Sequence, residues 1–264
     1  MVQHLRWPGS AAPTRKLLYR QSSPTRWLVS GQKNPSHYGQ RYTTLLLVVK
    51  IALLKKSMLH LEIIDQKRQT LLPLVATAGQ GFYLAGGTAL ALQLGHRDSV
   101  DFDFFVTEDI DTTELWGSIE RAFLGHELQK TQDEKNTLSV TIDGEVRLSF
   151  FGYHYPLLET PLEENGLALA SIHDIGCMKL SAITSRSTLK DYVDLYFILQ
   201  HISLSALLSD CTQKYPTLDH TLILKSLVYF DDITTEPIRF MPGFVVTSEE
   251  IESSLTTIVK DFLS

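Results

Sequence analysis

The stretches FYLAGGTAL at Phe82–Leu90 and RDSVDFDFF at Arg97–Phe105 decide the fold of this chain. They predict a buried strand, a glycine turn, a short apolar helix, a polar loop and a second strand. Residues i and i+2 of a strand point to the same face, so Asp101 and Asp103 project together while Phe102 enters the core. Two carboxylates beside an apolar wall are costly unless a cation lies between them.

A divalent metal ion is the cation that suits this carboxylate pair. Mg²⁺ binds through one or two carboxylates and completes its shell with substrate phosphates. The turn of Gly86, Gly87 and Thr88 offers free backbone N–H groups at a helix N-terminus, which suits a triphosphate, and Thr88 can also cap that helix. We predict that Asp101 and Asp103 hold Mg²⁺ and that the chain catalyses phosphoryl or nucleotidyl transfer. The structural alternative is a common Gly-Gly turn beside a solvated strand edge.

A second polar motif lies in a predicted helical region and contains Lys179, Arg186, Lys190, Asp191 and Asp194. Lys179 sits in the middle of a helix, so its ammonium group either snorkels along the helix surface or reaches a phosphate. Asp191 lies three residues after a threonine, where it can complete a capping box. We interpret Asp194 as structural.

Together these motifs resemble the nucleotidyltransferase superfamily, and more narrowly the AbiEii/AbiGii toxin family. The superfamily signature is a glycine turn followed about a dozen residues later by Asp-x-Asp. The stretch Arg97–Asp103 is similar to the family's Arg-x-Ser-x-Asp-x-Asp form. The stretches Met178–Ala182 and Lys190–Tyr196, with Arg186 between them, resemble its second signature, and Leu227–Asp232 resembles a C-terminal element. The resemblance covers about residues 58 to 262.

The resemblance implies an Mg²⁺-dependent enzyme that transfers NMP from an NTP to an acceptor such as the 3′ end of a tRNA. It implies a cognate antitoxin as a partner, and catalytic roles for Asp101, Asp103, Lys179 and Asp191. It also implies nucleotide contacts for a further set of residues: Gly86, Gly87, Thr88, Arg97, Arg186 and Lys190. Alternatively, Arg97 pairs with Asp98 or Asp101, and Arg186 and Lys190 contact an RNA partner.

The strand after the predicted hairpin departs from the superfamily pattern. In VRLSFF at Val146–Phe151, Ser149 stands about where a third carboxylate is common, while Asp143 and Glu145 lie out of register. The site then uses one metal ion, recruits Asp191 as the missing acid, or is inactive. A catalytically degenerate member that binds a nucleotide or a partner is therefore the alternative function. An antibiotic-modifying nucleotidyltransferase would share the first motif but not the second.

The predicted fold class is α+β, with a nucleotidyltransferase-like mixed sheet and helices followed by a helical C-terminal half. Asp143-Gly144 between two apolar strands is the strongest hairpin signal in the chain. We predict a nucleotidyltransferase-like domain over residues 58–165 and a helical region over residues 166–264 that completes the active site. Three of its helices are predicted at 203–213, 217–230 and 248–262.

Charge is distributed unevenly along the chain. Residues 1–57 contain ten Lys/Arg and no Asp or Glu, although the whole chain has a net charge of −6. We interpret them as a disordered basic arm outside the fold. A transit peptide and a nucleic-acid-binding arm are alternatives to the favoured interpretation, a misassigned start upstream of Met58.

Cysteine content and hydropathy restrict the class of protein further. Cys177 and Cys211 are the two cysteines, and neither has a partner at zinc spacing. This usage is typical of a reducing compartment and argues against a disulfide framework. No apolar run approaches 18 residues, so a transmembrane helix is not expected. We therefore expect a cytoplasmic protein with no membrane partner.

Overall fold

The structure, a computed structural model, describes residues 58–264, and these contain a mixed seven-stranded sheet. The strands are β1 (Tyr83–Ala85), β2 (Asp101–Val106), β3 (Leu128–Glu134), β4 (Thr137–Ile142), β5 (Val146–Gly152), β6 (Leu162–Glu164) and β7 (Leu167–Leu169). Their spatial order is β3-β4-β5-β2-β1-β7-β6. Because β2 runs antiparallel to β1 and parallel to β5, the strand with the two acids lies in the middle of the sheet.

In the described part of the chain, α-helices precede β1, separate some of the strands and follow β7. They are α1 (Gln66–Ala78), α2 (Gly86–Leu94), α3 (Thr112–Ala122), α4 (Ile172–Ile183), α5 (Leu189–Ile198), α6 (Leu204–Lys214), α7 (His220–Leu227) and α8 (Ser248–Leu263). The predicted α+β class with a helical C-terminal portion is confirmed, and α6, α7 and α8 lie within a few residues of their predicted bounds.

One face of the sheet forms the hydrophobic core. Phe102 and Phe104 of β2 are buried beside Leu148 and Phe150 of β5, and the ring centroids of Phe104 and Phe150 lie 5.1 Å apart. Burying each of these side chains stabilises the fold by about 1.5–3 kcal/mol. Since strand residues alternate, the opposite face of β2 must carry Asp101 and the other odd-numbered residues.

The hairpin between β4 and β5 is confirmed. Asp143 has φ +49° and Gly144 has φ +70°, so both adopt the left-handed conformation that the central residues of a type I′ turn require, and Glu145 N–H donates to the Ile142 carbonyl at 3.1 Å. The register pairs Ile142 with Val146, so the connection has three residues, Asp143, Gly144 and Glu145.

The sequence analysis does not predict three of the strands. The sequence of β3, LQKTQDE, is polar on both faces and shows no alternation, and an edge strand that pairs with β4 tolerates this composition. The strands β6 and β7 have three residues each, too few to show alternation. The proposed domain boundary after residue 165 stays a prediction; β7, which follows it, pairs with β1 in the same sheet.

The predicted basic arm, residues 1–57, lies outside the described residues. Within residues 58–264, none of the helices combines the length and apolar character needed to span a membrane. Both cysteines are buried as free thiols.

Candidate active site

The two acids of β2 lie on one face, as the alternation predicts. Asp101 is exposed, Asp103 is half-buried, and Phe102 between them is buried on the other side. The parallel register places Arg147 of β5 beside Asp101 and Ser149 beside Asp103. The carboxylates therefore project from the centre of the sheet, with a guanidinium group on the neighbouring strand.

The environment of Asp103 disfavours its charged form. Burial raises the pKa of this carboxyl, and the negative charge of Asp101 raises it further. Arg147, Lys179 and Arg186 act in the opposite direction without reversing the shift. A carboxyl whose pKa is raised by burial and by a neighbouring carboxylate is electrostatically suited to a bound cation.

The glycine turn lies directly against Asp103. Gly86 has φ +70°, and a Cβ atom there would lie 3.3 Å from Asp103 Oδ2. Glycine is needed both for this conformation and for this close approach. Because α2 begins at Gly86, the N–H groups of its first turn open beside the carboxylate pair.

Lys179 is buried between two carboxylates of α5. Its Nζ atom lies 2.8 Å from Asp191 Oδ1 and 2.6 Å from Asp194 Oδ2. An ammonium group has three N–H donors, so one remains for another acceptor. The side chain also lines the cleft next to Asp101 and Asp103. Lys179 therefore points inward, and the snorkelling alternative does not apply.

Asp194 is the fully buried centre of a charge network. Its carboxylate accepts hydrogen bonds from Arg97 Nε and Nη2, each at 2.8 Å, and from His96 Nε2 at 2.9 Å, in addition to Lys179. Arg97 thus pairs with Asp194 rather than with the side chain of Asp98 or Asp101. Its Nη1 atom donates to the backbone oxygen of Asp98 at 2.9 Å.

The protonation states of this network follow from its charges. Burial raises the pKa of Asp194, but Lys179, Arg97 and the hydrogen bond from His96 outweigh burial and hold it well below its usual value. Burial lowers the pKa of His96, so the ring is neutral and donates from Nε2. Its Nδ1 atom is buried without a hydrogen-bond partner among the described residues. The network therefore holds the Asp194 carboxyl in its ionised form.

Asp191 forms side-chain contacts rather than a backbone cap. Its carboxylate accepts from Lys179, from Arg186 Nε at 3.0 Å and from the Thr188 hydroxyl at 2.7 Å. Burial raises its pKa, but the charge of Lys179 and these hydrogen bonds outweigh burial and lower it. The start of α5 has no side-chain cap, so the capping-box alternative for Asp191 is wrong.

Three further residues expected to contact the nucleotide have protein partners in the structure: Thr88, Arg186 and Lys190. The Thr88 hydroxyl lies 2.6 Å from Ser99 Oγ and also donates to the backbone oxygen of Asp101, so it ties α2 to β2 and does not cap the helix. Arg186 has 63% of its side chain exposed. Lys190 lies at the rim, where its Nζ is 2.6 Å from Glu236 Oε2.

Gly87 makes the buried network sterically feasible. A Cβ atom there would lie 2.4 Å from Arg97 Nη2. We expect Gly87→Ala to displace the Arg97 guanidinium and lower the free energy of unfolding by about 1–3 kcal/mol, measured by urea denaturation. Gly117→Ala is the control: its Cβ would lie 3.4 Å from Arg121 Nη1 within α3, where alanine stabilises a helix by about 0.5–1 kcal/mol. Equal stability of Gly87→Ala and the unchanged chain would contradict this packing.

Ser149, which the superfamily pattern assigns to the third-acid position, lies beside Asp103 in the sheet. Ser149 is buried, and the Ser139 hydroxyl of β4 donates to its Oγ at 3.2 Å. Among residues 58–264, no group of three His, Cys, Asp or Glu side chains is placed to hold a metal ion. The two carboxylates of β2, Asp101 and Asp103, both line the cleft.

These parts meet in one cleft. A cavity of about 500 Å³ is lined at one end by Gly86, Gly87, Asp101, Asp103 and Lys179. A second opening of about 410 Å³ is lined by four of the same residues and continues towards Asp191 and Lys190. The structure thus brings residues of both sequence motifs to one surface.

A family model described as "Nucleotidyl transferase AbiEii toxin, Type IV TA system" matches residues 74–252. The chain belongs to this AbiEii family. An uncharacterized protein from Aquifex aeolicus (strain VF5) is 38% identical over 188 residues, which is 69% of this chain and 88% of the relative. The range matched by the family model includes the carboxylate pair and the Lys179 motif, so the resemblance noted in the sequence is confirmed.

Solved structures with a similar arrangement share little sequence with this AbiEii member. MenT4, a nucleotidyltransferase toxin from Mycobacterium tuberculosis H37Rv, is 13% identical with a TM-score of 0.49, covering 73% of this chain and 82% of that one. JHP933 from Helicobacter pylori is 18% identical with a TM-score of 0.45, covering 78% and 95%.

Sequence reasoning missed three contributors to the site. Asp194 was interpreted as structural, without its link to Lys179, and His96 and Arg147 were not singled out. The spacing of Asp191 and Asp194 was an available signal, because residues i and i+3 share a helix face. Arg147 could have been found by strand alternation, since it lies two residues before Ser149.

Proposed function

We propose that this AbiEii member is an Mg²⁺-dependent nucleotidyltransferase that transfers NMP from an NTP to an acceptor, the 3′ end of a tRNA. The observation that carries the proposal is the meeting of Asp101, Asp103, the Gly86-Gly87 turn and Lys179 at one cleft. A bound Mg²⁺ ion would neutralise phosphate charge and orient the reacting oxygens. Family membership supports nucleotidyl transfer in general.

The donor chemistry of the cleft fits one such ion. Mg²⁺ takes one or two protein carboxylates together with water and phosphate oxygens. Asp101 and Asp103 would supply the carboxylates. Burial and the charge of Asp101 raise the pKa of Asp103, and a bound cation would offset both effects. We assign these two residues as the metal ligands.

The remaining groups would position and neutralise the triphosphate. The first-turn N–H groups of α2 would donate to phosphate oxygens, and the remaining donor of Lys179 would bind another. Arg186 lies at the cleft with an exposed side chain, where it can pair with the pyrophosphate that leaves as the new P–O bond forms. Asp191 and Asp194 act through Lys179 by fixing its ammonium group.

The acceptor and the partner rest on more general support. Arg147, Arg186 and Lys190 border the cleft and could contact the phosphates of an RNA end. The matched family is a toxin of a toxin–antitoxin system, so we also propose a cognate antitoxin. Buried free cysteines are compatible with the cytoplasm as the location.

A transfer assay tests this function. The full chain is incubated with Mg²⁺, tRNA and each NTP labelled at the α-phosphate, and tRNA 3′ ends are then sequenced. We expect label on the RNA, a requirement for Mg²⁺, and a loss of at least about a hundredfold in Lys179→Ala, because the developing charge loses a preorganised donor. Lys130→Ala is the matched control, since this lysine pairs with Asp133 on the edge strand β3.

A catalytically degenerate, nucleotide-binding protein is the second candidate. The observation that favours it is Ser149, which occupies the place beside Asp103 and is hydrogen-bonded to Ser139. Binding of Mg²⁺-NTP without transfer to tRNA or to any other RNA tested would support this candidate and contradict the first.

A further inference from the structure

The cleft has an apolar half to which no role has been assigned. Phe105 and Phe151 lie two residues beyond Asp103 and Ser149 on the same strands, and therefore on the same face. Two strand residues span about 6.6 Å, so the apolar half of the cleft begins at about that distance from the carboxylates. The two rings are paired in register and stack with centroids 5.1 Å apart.

Both rings are only half-buried, unlike their neighbours on the core face. Phe102 and Phe104 are at most 1% exposed, whereas Phe105 and Phe151 line the open cleft. An apolar surface left open beside a polar site is typical of ligand pockets, in which a few polar groups orient a mostly apolar body.

The opposite wall of this half comes from α4. Met178, Ser181 and Ala182 follow the spacing of one face of α4 and line the same cavity, and Ser185, just beyond the end of the helix, lines it too. A thioether packs well against aromatic rings, and a serine hydroxyl can both donate and accept hydrogen bonds. Tyr153 also lines the cavity, but its hydroxyl already forms a hydrogen bond with the Tyr215 hydroxyl at 2.5 Å.

We infer that this slot, between Phe105 and Phe151 on one side and Met178 on the other, binds a nucleobase. The inference rests on the proposed function and deepens it. A flat, uncharged heterocycle suits a wall of aromatic rings, whereas phosphate suits the cationic residues of the same cavity, Arg147, Lys179 and Arg186. The base belongs either to the NTP or to the terminal nucleotide of the acceptor, and these two sources share one chemistry.

Binding measurements on the full chain test the inference. The ligands are the four Mg²⁺-NTPs, Mg²⁺ with inorganic triphosphate, and tRNA. Phe151→Leu keeps an apolar side chain but removes the ring, and we expect about tenfold weaker binding of a base-containing ligand with unchanged binding of inorganic triphosphate. Phe82→Leu is the control, because its ring packs on the core residue Phe150, with centroids 5.2 Å apart, on the other face of the sheet.

The affected ligand identifies the source of the base. Weaker NTP binding places the nucleotide's own base in the slot, and weaker tRNA binding with unchanged NTP binding places the acceptor's base there. Unchanged binding of both ligands, or an equal loss of inorganic triphosphate binding, would overturn the inference. If Phe151→Leu fails to fold, Met178→Ala probes the slot from the opposite wall with the same readouts.

Failure of this inference is distinguishable from failure of the proposed function. An unchanged chain that binds neither Mg²⁺-NTP nor inorganic triphosphate contradicts both. A chain that binds and transfers nucleotides while Phe151→Leu and Met178→Ala bind all ligands normally contradicts the nucleobase slot alone.

Discussion

Asp103→Asn should abolish nucleotide transfer and leave the fold intact. The substitution removes one of the two carboxylates that we assign to Mg²⁺. Loss of a group that merely supports a metal ligand costs 10–100-fold, so loss of a ligand itself should cost at least about a hundredfold in rate. The measurement is the transfer rate per folded molecule at saturating Mg²⁺, together with Mg²⁺ affinity.

The same variant should be as stable as the unchanged chain, or more stable, at pH 7 without metal. Burial and Asp101 raise the folded-state pKa of Asp103 above 3.8, so the charged carboxylate opposes folding. This cost is absent below the unfolded value and develops as pH rises through the folded value. Asp133→Asn, on the edge strand β3, is the control for activity. Near-normal transfer by Asp103→Asn in Mg²⁺ would show that the metal assignment is wrong.

The second large effect concerns stability. Asp194→Asn should lower the free energy of unfolding by about 3–5 kcal/mol, because Arg97 would remain buried without its carboxylate and Lys179 would keep only that of Asp191. The amide also turns one of its two acceptor sites into a donor that faces the guanidinium N–H groups of Arg97. Urea denaturation at pH 7 measures the change.

The pH dependence of stability provides a further measurement on this variant. Since the folded-state pKa of Asp194 is lowered, its stabilising contribution is fully present above the unfolded value of 3.8. It is lost as pH falls through the lower folded value. Below about pH 4 the unchanged chain should therefore lose stability more steeply than Asp194→Asn. Parallel pH curves for the two proteins would contradict the network.

Asp191→Asn is the matched comparison. Its carboxylate shares Lys179, but its other cationic partner, Arg186, has a largely exposed side chain that can be solvated when the pair is lost. We expect a smaller loss of stability than in Asp194→Asn, together with a large loss of transfer rate. Lowered stability with an unchanged rate per folded molecule would make Asp191 purely structural.

Several features of the site were predictable from short windows of sequence. Alternation in DFDFF placed Asp101 and Asp103 on one face, and Asp143-Gly144 defined the hairpin that carries Ser149. These predictions succeeded because strand alternation and turn chemistry depend on neighbouring residues alone. The position of Ser149 beside Asp103 depends instead on the pairing of β5 with β2, which the structure supplies.

Tertiary structure alone decided which charges neutralise one another. Arg97 precedes β2, Lys179 lies on α4 and Asp194 lies on α5, so their meeting depends on how distant elements pack. The same packing lets the Thr88 hydroxyl donate a hydrogen bond to the backbone oxygen of Asp101, which links α2 to β2.

The sequence by itself determined the α+β class, the carboxylate face and the family of this chain. Only the tertiary structure decided that Asp194 is the centre of the buried network and that Phe105 and Phe151 line an open slot. The physical reason is that local patterns encode which face a side chain occupies. The partner of a buried charge, and the cover of an apolar face, come from segments far away in the chain.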